Sequence, residues 1–226
     1  MCGRYANHVK EMRQWADILT DWPLDAPTGY NVAPTAMVPV FTQDGGQAMR
    51  WSLIAPWSHE ISGKYSTFNA RIETLAKKPT FRHAWSQGLR CLIPALGYFE
   101  WKTVGGRKQP WFITPEDGSP LVFAGLWEPA RAAKDDQSES IPPSCTIITR
   151  PAEGEMKDLH PRTPVMLQRE LAEDWLAGEQ SLAREIAESK PHPKLKLFPV
   201  SSQVNNTRHE GANLVEPLMP EQGSLF

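Results

Sequence analysis

Short β-branched and aromatic runs, broken by Gly-, Pro- and Asp-rich stretches, make up most of this chain. Residues 37–42 and 47–54 are two such runs around Asp44-Gly45-Gly46, the pattern of a hairpin. Residues 89–96 and 98–104 predict strands joined near Pro94 and Gly97; Gly105-Gly106 predicts the next turn, and 110–114 with 121–126 complete a meander. Residues 145–149 and 195–200 predict two further strands. Helical spacing is rarer. Val9, Met12, Trp15, Ala16 and Leu19 recur at that period behind a possible cap, Asn7, and the segment opening at 68–74 has helical character. Leu167, Leu171 and Trp175 mark an amphipathic helix, and Leu182 with Ile186 marks another. Residues 132–140 are charged and poor in apolar side chains, which predicts a surface loop or linker. With many short strands, few helices and no βαβ alternation, the pattern predicts an α+β domain with a curved, barrel-like antiparallel sheet and flanking helices.

Composition narrows the classes. At 226 residues the chain has ample length for a core. No apolar run approaches the ~18–20 residues of a membrane span, and Gly3 and Arg4 stand where a signal peptide would turn apolar. Three cysteines at 2, 91 and 145, without CxxC spacing or a nearby histidine pair, predict reduced thiols, no zinc site and a cytoplasmic protein. The net charge of −2 excludes a globally basic nucleic-acid binder, so any DNA contact must come from a local arginine cluster. Nine tryptophans and 21 prolines suggest rigid loops and aromatic platforms able to stack on bases, although most tryptophans should fill the core.

Candidate chemistry begins at Met1-Cys2-Gly3-Arg4. Removal of Met1 would leave Cys2 with amine and thiol on one residue, a 1,2-aminothiol. The amine adds to an aldehyde to give a Schiff base, and the thiolate then closes a thiazolidine ring. An α-amino group near ~7.7–8.0 is partly neutral at physiological pH, and ring closure is intramolecular. Polar residues also stand inside apolar stretches: Asn69 and Arg71 after Phe68, Glu100 between Phe99 and Trp101, His160 and Arg162 around Pro161, and Asn205-Asn206 after Val204. On a strand Glu100 shares its face with Tyr98 and Lys102, and desolvation by aromatic neighbours would raise its pKa into the range useful for proton transfer. His160 has the intermediate pKa of a proton shuttle, and Arg71 and Arg162 could clamp phosphates.

Taken in order, Met-Cys-Gly-Arg, Tyr-Asn-Val-Ala-Pro-Thr, Asn-Ala-Arg-Ile-Glu-Thr, Arg-Cys-Leu-Ile-Pro-Ala with Gly-Tyr-Phe-Glu-Trp, Leu-His-Pro-Arg-Thr-Pro-Val and Val-Asn-Asn resemble the SOS response-associated peptidase (SRAP) family. The resemblance implies one domain over residues 2–217 with a barrel-like β core, followed by a tail at 218–226. It implies recognition of abasic sites in single-stranded DNA and a covalent thiazolidine cross-link through Cys2, together with removal of Met1 by an autopeptidase and a lyase-like chemistry. It further implies that Asn69 orients the Cys2 amine or the sugar, Glu100 moves protons, and His160 assists opening of the deoxyribose. Arg4, Asn31, Arg71, Trp101 and Arg162 are the implied DNA contacts, with no cofactor or metal, and the protein is expected to be a monomer at a bacterial nucleoid. Four departures stand out: Ser52 for a usual Gly, a displaced Pro56, Leu96 for an acidic residue and Thr163 for Met. The ending Gln222-Gly223-Ser224-Leu225-Phe226 resembles the bacterial sliding-clamp-binding pentapeptide, with Gln222, Leu225 and Phe226 as anchors. Two other readings stand beside it: an N-terminal-nucleophile cysteine hydrolase acting on peptides or amides through the same Cys2, Glu100 and His160, and a noncovalent reader of modified or single-stranded DNA in which Cys2 is incidental.

Overall fold

The β-branched and aromatic runs become strands, and the glycine-rich punctuation becomes their turns. A computed structural model describes residues 2–8, 11–61, 65–134, 140–189 and 193–218. In chain order its elements are β1 (Tyr5–Asn7), β2 (Gly29–Val32), β3 (Met37–Thr42), β4 (Gly45–Trp51), β5 (Asn69–Arg71), α1 (Pro79–Ser86), β6 (Arg90–Ala95), β7 (Gly97–Val104) and β8 (Arg107–Pro115). They continue with β9 (Leu121–Glu128), β10 (Ser144–Pro151), α2 (Glu155–Leu159), β11 (Arg162–Pro164), α3 (Ala172–Ala177), α4 (Gln180–Glu188) and β12 (Leu195–Pro199). The β7–β8 hairpin shows sequence dictating geometry. Val104 pairs with Arg107, and the two residues between them, Gly105 and Gly106, have φ of 56° and 79°. A two-residue turn of this hand needs positive φ at both positions, which glycine adopts without steric cost.

Two sheets result. One runs β12-β8-β7-β1-β2. The other runs through β10, β4, β3, β6 and β9, and because β9 also pairs with β10 it closes on itself, with β5 and β11 attached to β10. The α+β class and the curved core are as expected. The strands are mostly antiparallel, but β10 pairs in parallel with both β4 and β5.

Between the sheets lies an apolar core containing Cys2, Tyr5, Trp51, Cys91, Tyr98, Phe123 and Cys145. Against the other face of the ring pack the apolar sides of α1, α3 and α4, through Trp85, Trp175, Ala183 and Ile186. Trp15, Trp51, Trp85 and Trp175 are buried, Trp22, Trp101 and Trp127 pack half-buried at the margins of the cores, and Trp57 is exposed.

Several expectations need correction. The helix expected behind Asn7 is instead strand β1 followed by a 3₁₀ turn, Glu11–Trp15; Val9 lies outside the described residues. The Oδ1 of Asn7 accepts the Gly29 N–H and fastens β1 to β2. The segment at 68–74 opens as strand β5, drawn into extended form by β10, about eighty residues away in sequence. The strand expected over 47–54 ends at Trp51, where Ser52 takes a φ of 153° that favours glycine. The resemblance noted above leads one to expect Gly at this position. The helix expected from Leu167 begins as a 3₁₀ turn, Arg169–Leu171, before α3. The loop expected at 132–140 is closed by an Arg131–Ile141 bridge, its residues 135–139 lying outside the described set. So do Gln222, Leu225 and Phe226.

Candidate functional site

The site forms where the first residues of the chain cross from one sheet to the other. Tyr5 pairs with Tyr98 and Ala6 with Gly97, and the Phe99 N–H donates to the Arg4 carbonyl at 2.9 Å. Residues 2–4 therefore run beside Phe99 and Glu100. On the other side of β7, Gly97 lets β8 come close: a Cβ there would lie 2.4 Å from the Ile113 carbonyl oxygen and the Phe112 ring. From the other sheet Asn69, the first residue of β5, donates through Nδ2 to the Cys2 carbonyl at 2.7 Å. Its Oδ1 is buried and has no hydrogen-bond partner among the described residues.

Cys2 is wholly buried, and its thiol contacts the Arg4 carbonyl at 3.8 Å. Burial, and next the negative charge of Glu100, hold that thiol far above its ordinary range. Glu100 is 3% exposed. Burial raises its carboxyl to about 7. Along β7 the face expected for it is present, with Tyr98 at the buried end and Lys102 at the exposed end.

His160 caps the C-terminus of α2. Its Nδ1 lies 3.8 Å from Glu100 Oε1 and sits against the Arg162 backbone, 3.0 Å from the N–H and 3.1 Å from the carbonyl oxygen, so the Arg162 main chain fixes the orientation of the ring. Burial lowers the pKa of this imidazole. The structure thus brings Cys2, Asn69, Glu100 and His160 into one cluster whose proton affinities have been moved by burial: thiol and carboxyl up, imidazole down.

The residues expected to contact DNA divide. Arg71 is exposed at the end of β5. Arg162 starts β11 on the other side of β10, and its guanidinium is already engaged: it makes paired bonds to Glu73 at 2.6 and 3.0 Å and another to the Thr149 carbonyl at 2.6 Å. Burial alone would raise the Glu73 carboxyl, but Arg162, with Arg71 adding to it, carries it below its ordinary value. A phosphate arriving at Arg162 would compete with this carboxylate, a contact that Glu73 in the Asn-Ala-Arg-Ile-Glu-Thr stretch did not announce.

Asn31 is buried and fully committed. Its Nδ2 donates to the carbonyls of Asn206 and His209, at 3.0 and 2.8 Å, and its Oδ1 accepts from Arg4 at 2.6 Å. Arg4 also donates to the Val204 carbonyl at 2.6 Å and lies 6.0 Å from the centre of the Trp101 ring. The indole N–H of Trp101 donates to Asn205 Oδ1 at 2.7 Å. Asn31, Arg4 and Trp101 therefore fasten the segment around residues 201–210 over the β1–β2 edge. The sequence marked Asn205 and Asn206 as notable but not as the far end of this latch. Among the described residues no group of three or more His, Cys, Asp or Glu is placed to hold a metal ion.

The arrangement is that of an α+β protein with a buried N-terminal-region cysteine set against a carboxylate and a histidine. Residues 1–207 match the family described as SOS response associated peptidase (SRAP), and the chain belongs to that family. It is 34% identical to the abasic site processing protein YedK of Escherichia coli over 96% of this chain and 100% of that one. To the abasic site processing protein YoqW of Bacillus subtilis it is 32% identical, over 96% and 99%. A crystal structure of a protein from Bordetella bronchiseptica superposes with a TM-score of 0.76 at 27% identity, covering 88% of this chain and all of that one. One from Bacteroides thetaiotaomicron, at 22% identity and covering 96% and 100%, shares the fold with a TM-score of 0.79.

Proposed function

We propose that the protein captures abasic sites in single-stranded DNA as a covalent thiazolidine on Cys2, after removal of Met1. The observation that carries this reading is the buried Cys2, fixed through its carbonyl by Asn69 and set against a Glu100 carboxyl raised to about 7. Its relatives' names as abasic site processing proteins support the same substrate class.

In this reading hydrolysis of the Met1–Cys2 peptide bond frees the Cys2 amine. His160 takes the proton of the C1′ hydroxyl and returns one to the ring oxygen of the deoxyribose as the ring C–O bond breaks, exposing the C1′ aldehyde. The amine adds to C1′, and water leaves to give the imine. The Cys2 sulfur then adds to the imine carbon while its proton passes by way of Glu100 to the nitrogen. A carboxyl titrating near neutral pH both accepts and returns a proton at low cost, which is what two successive transfers require. The thiol benefits from such a base because burial disfavours its thiolate. Arg71 and, in exchange for Glu73, Arg162 hold flanking phosphates. The activity belongs in a compartment that keeps thiols reduced, which places the protein in the cytoplasm at the nucleoid.

The test is denaturing gel migration after incubation with single-stranded DNA carrying one abasic site, for wild type beside Cys2→Ala. A heat-stable shifted band with wild type only is expected. No shift with a protein already lacking Met1 would refute the reading and favour the cysteine hydrolase. For the tail we propose docking on a sliding clamp through Gln222, Leu225 and Phe226; unchanged retention on an immobilised clamp after deletion of residues 222–226 would remove that proposal.

A further inference from the structure

Glu100 and His160 reach one another from different sheets. Glu100 lies on β7, which pairs with β1 and β8, while His160 and Arg162 lead into β11, which pairs with β10. No backbone ladder joins β7 to β11. A side-chain hydrogen bond does: the Tyr98 hydroxyl and Thr163 Oγ1 are 2.9 Å apart. Tyr98 stands two residues before Glu100 on the same face of β7, and Thr163 directly follows Arg162. Both are buried, at 0% and 4% exposure. The same hydroxyl lies 3.9 Å from Met156 Sδ, on α2, and the His160 N–H donates to the Met156 carbonyl at 2.9 Å. One phenol thus touches the helix before His160 and the strand after Arg162.

We propose that Tyr98 and Thr163 are positioning residues, whose hydrogen bond between the sheets holds His160 against Glu100. Apolar packing alone resists such sliding less sharply, because dispersion has little directionality, whereas a hydrogen bond in dry surroundings fixes both distance and angle. The kinetic consequence rests on the reading of the site given above. The positioning itself does not.

The experiment compares wild type with Thr163→Val, Thr163→Ser and the double variant Tyr98→Phe/Thr163→Val, reading thermal unfolding and adduct formation against DNA concentration. Thr163→Val is expected to slow adduct formation at saturating DNA on the order of tenfold, as small misplacements of reacting groups do, with the half-saturating DNA concentration unchanged. Thr163→Ser keeps the hydroxyl and retains the rate. The double variant replaces both partners by apolar groups, so it recovers stability lost by Thr163→Val but not rate. Recovery of rate together with stability, or an unchanged rate in Thr163→Val, would overturn the proposal. If wild type forms no adduct, the functional reading fails and the positioning is judged by the His160 ring titration in NMR. A midpoint displaced in Thr163→Val supports it, and superimposable curves overturn it.

Discussion

Near neutral pH the Glu100 carboxyl holds its proton about half the time, and this has a consequence for stability as well as for chemistry. Its folded value of about 7 stands above the ~4.3 of an unfolded glutamate. The folded state therefore binds the extra proton between those values. Stability from this group is greatest below the unfolded value and falls as pH rises to the folded one, by on the order of 3 kcal/mol. Glu100→Gln removes the titration. Its melting temperature should gain on wild type between pH 5 and pH 8, and a gap that stays constant with pH would contradict the burial account; adduct formation, in contrast, should fall throughout. That Glu100 would be desolvated was legible from its aromatic neighbours in Gly-Tyr-Phe-Glu-Trp. That Arg162 would be held by Glu73 was not, because a bidentate pair between the turn after β5 and the start of β11 leaves no trace in local spacing.

At the scale of elements, the latch around residues 201–210 depends on one amide. Asn31 satisfies two carbonyls of that segment and orients Arg4. Asn31→Ala leaves these partners buried and unsatisfied, at a cost on the order of 2–3 kcal/mol. Hydrogen exchange should quicken across residues 203–210 while β6 and β9 keep their protection; unchanged exchange there would show that apolar contacts of Val204 and Leu214 suffice. The hairpins β3–β4 and β7–β8 could be read from the chain because their turns are local, although the β3–β4 turn is Gln43-Asp44 and the glycines expected in it, Gly45 and Gly46, already pair within β4. β1 and β5 could not, since three residues carry too little pattern and both owe their extended form to distant partners, β7 and β10. The periodicity behind Asn7 also misled, because Met12, Trp15 and Leu19 do face the core, but from a 3₁₀ turn and the loop after it.

For the whole molecule, a net charge of −2 leaves little general attraction to DNA, so reversible binding must come from a few local cations. With two or three phosphates engaged, the logarithm of affinity should fall against the logarithm of salt with a slope of about −1.5 to −2, and Arg71→Ala should flatten it by about 0.7. Anisotropy titrations with an intact single strand check both; a steep slope, or none lost with Arg71→Ala, would place the DNA path elsewhere. The covalent adduct, once formed, should persist at any salt concentration. The α+β class followed from short strands without βαβ alternation. The closure of the ring through β10, in contact with β4, β5, β9 and β11, is a property of the assembled sheet that no single stretch encodes. The central claim is most directly tested by mass spectrometry of the tryptic peptide Cys2-Gly3-Arg4 after reaction with an abasic strand, without borohydride. The account predicts this peptide lacking Met1 and carrying the sugar as a thiazolidine. An adduct on a lysine, or one trapped only by borohydride, would contradict it.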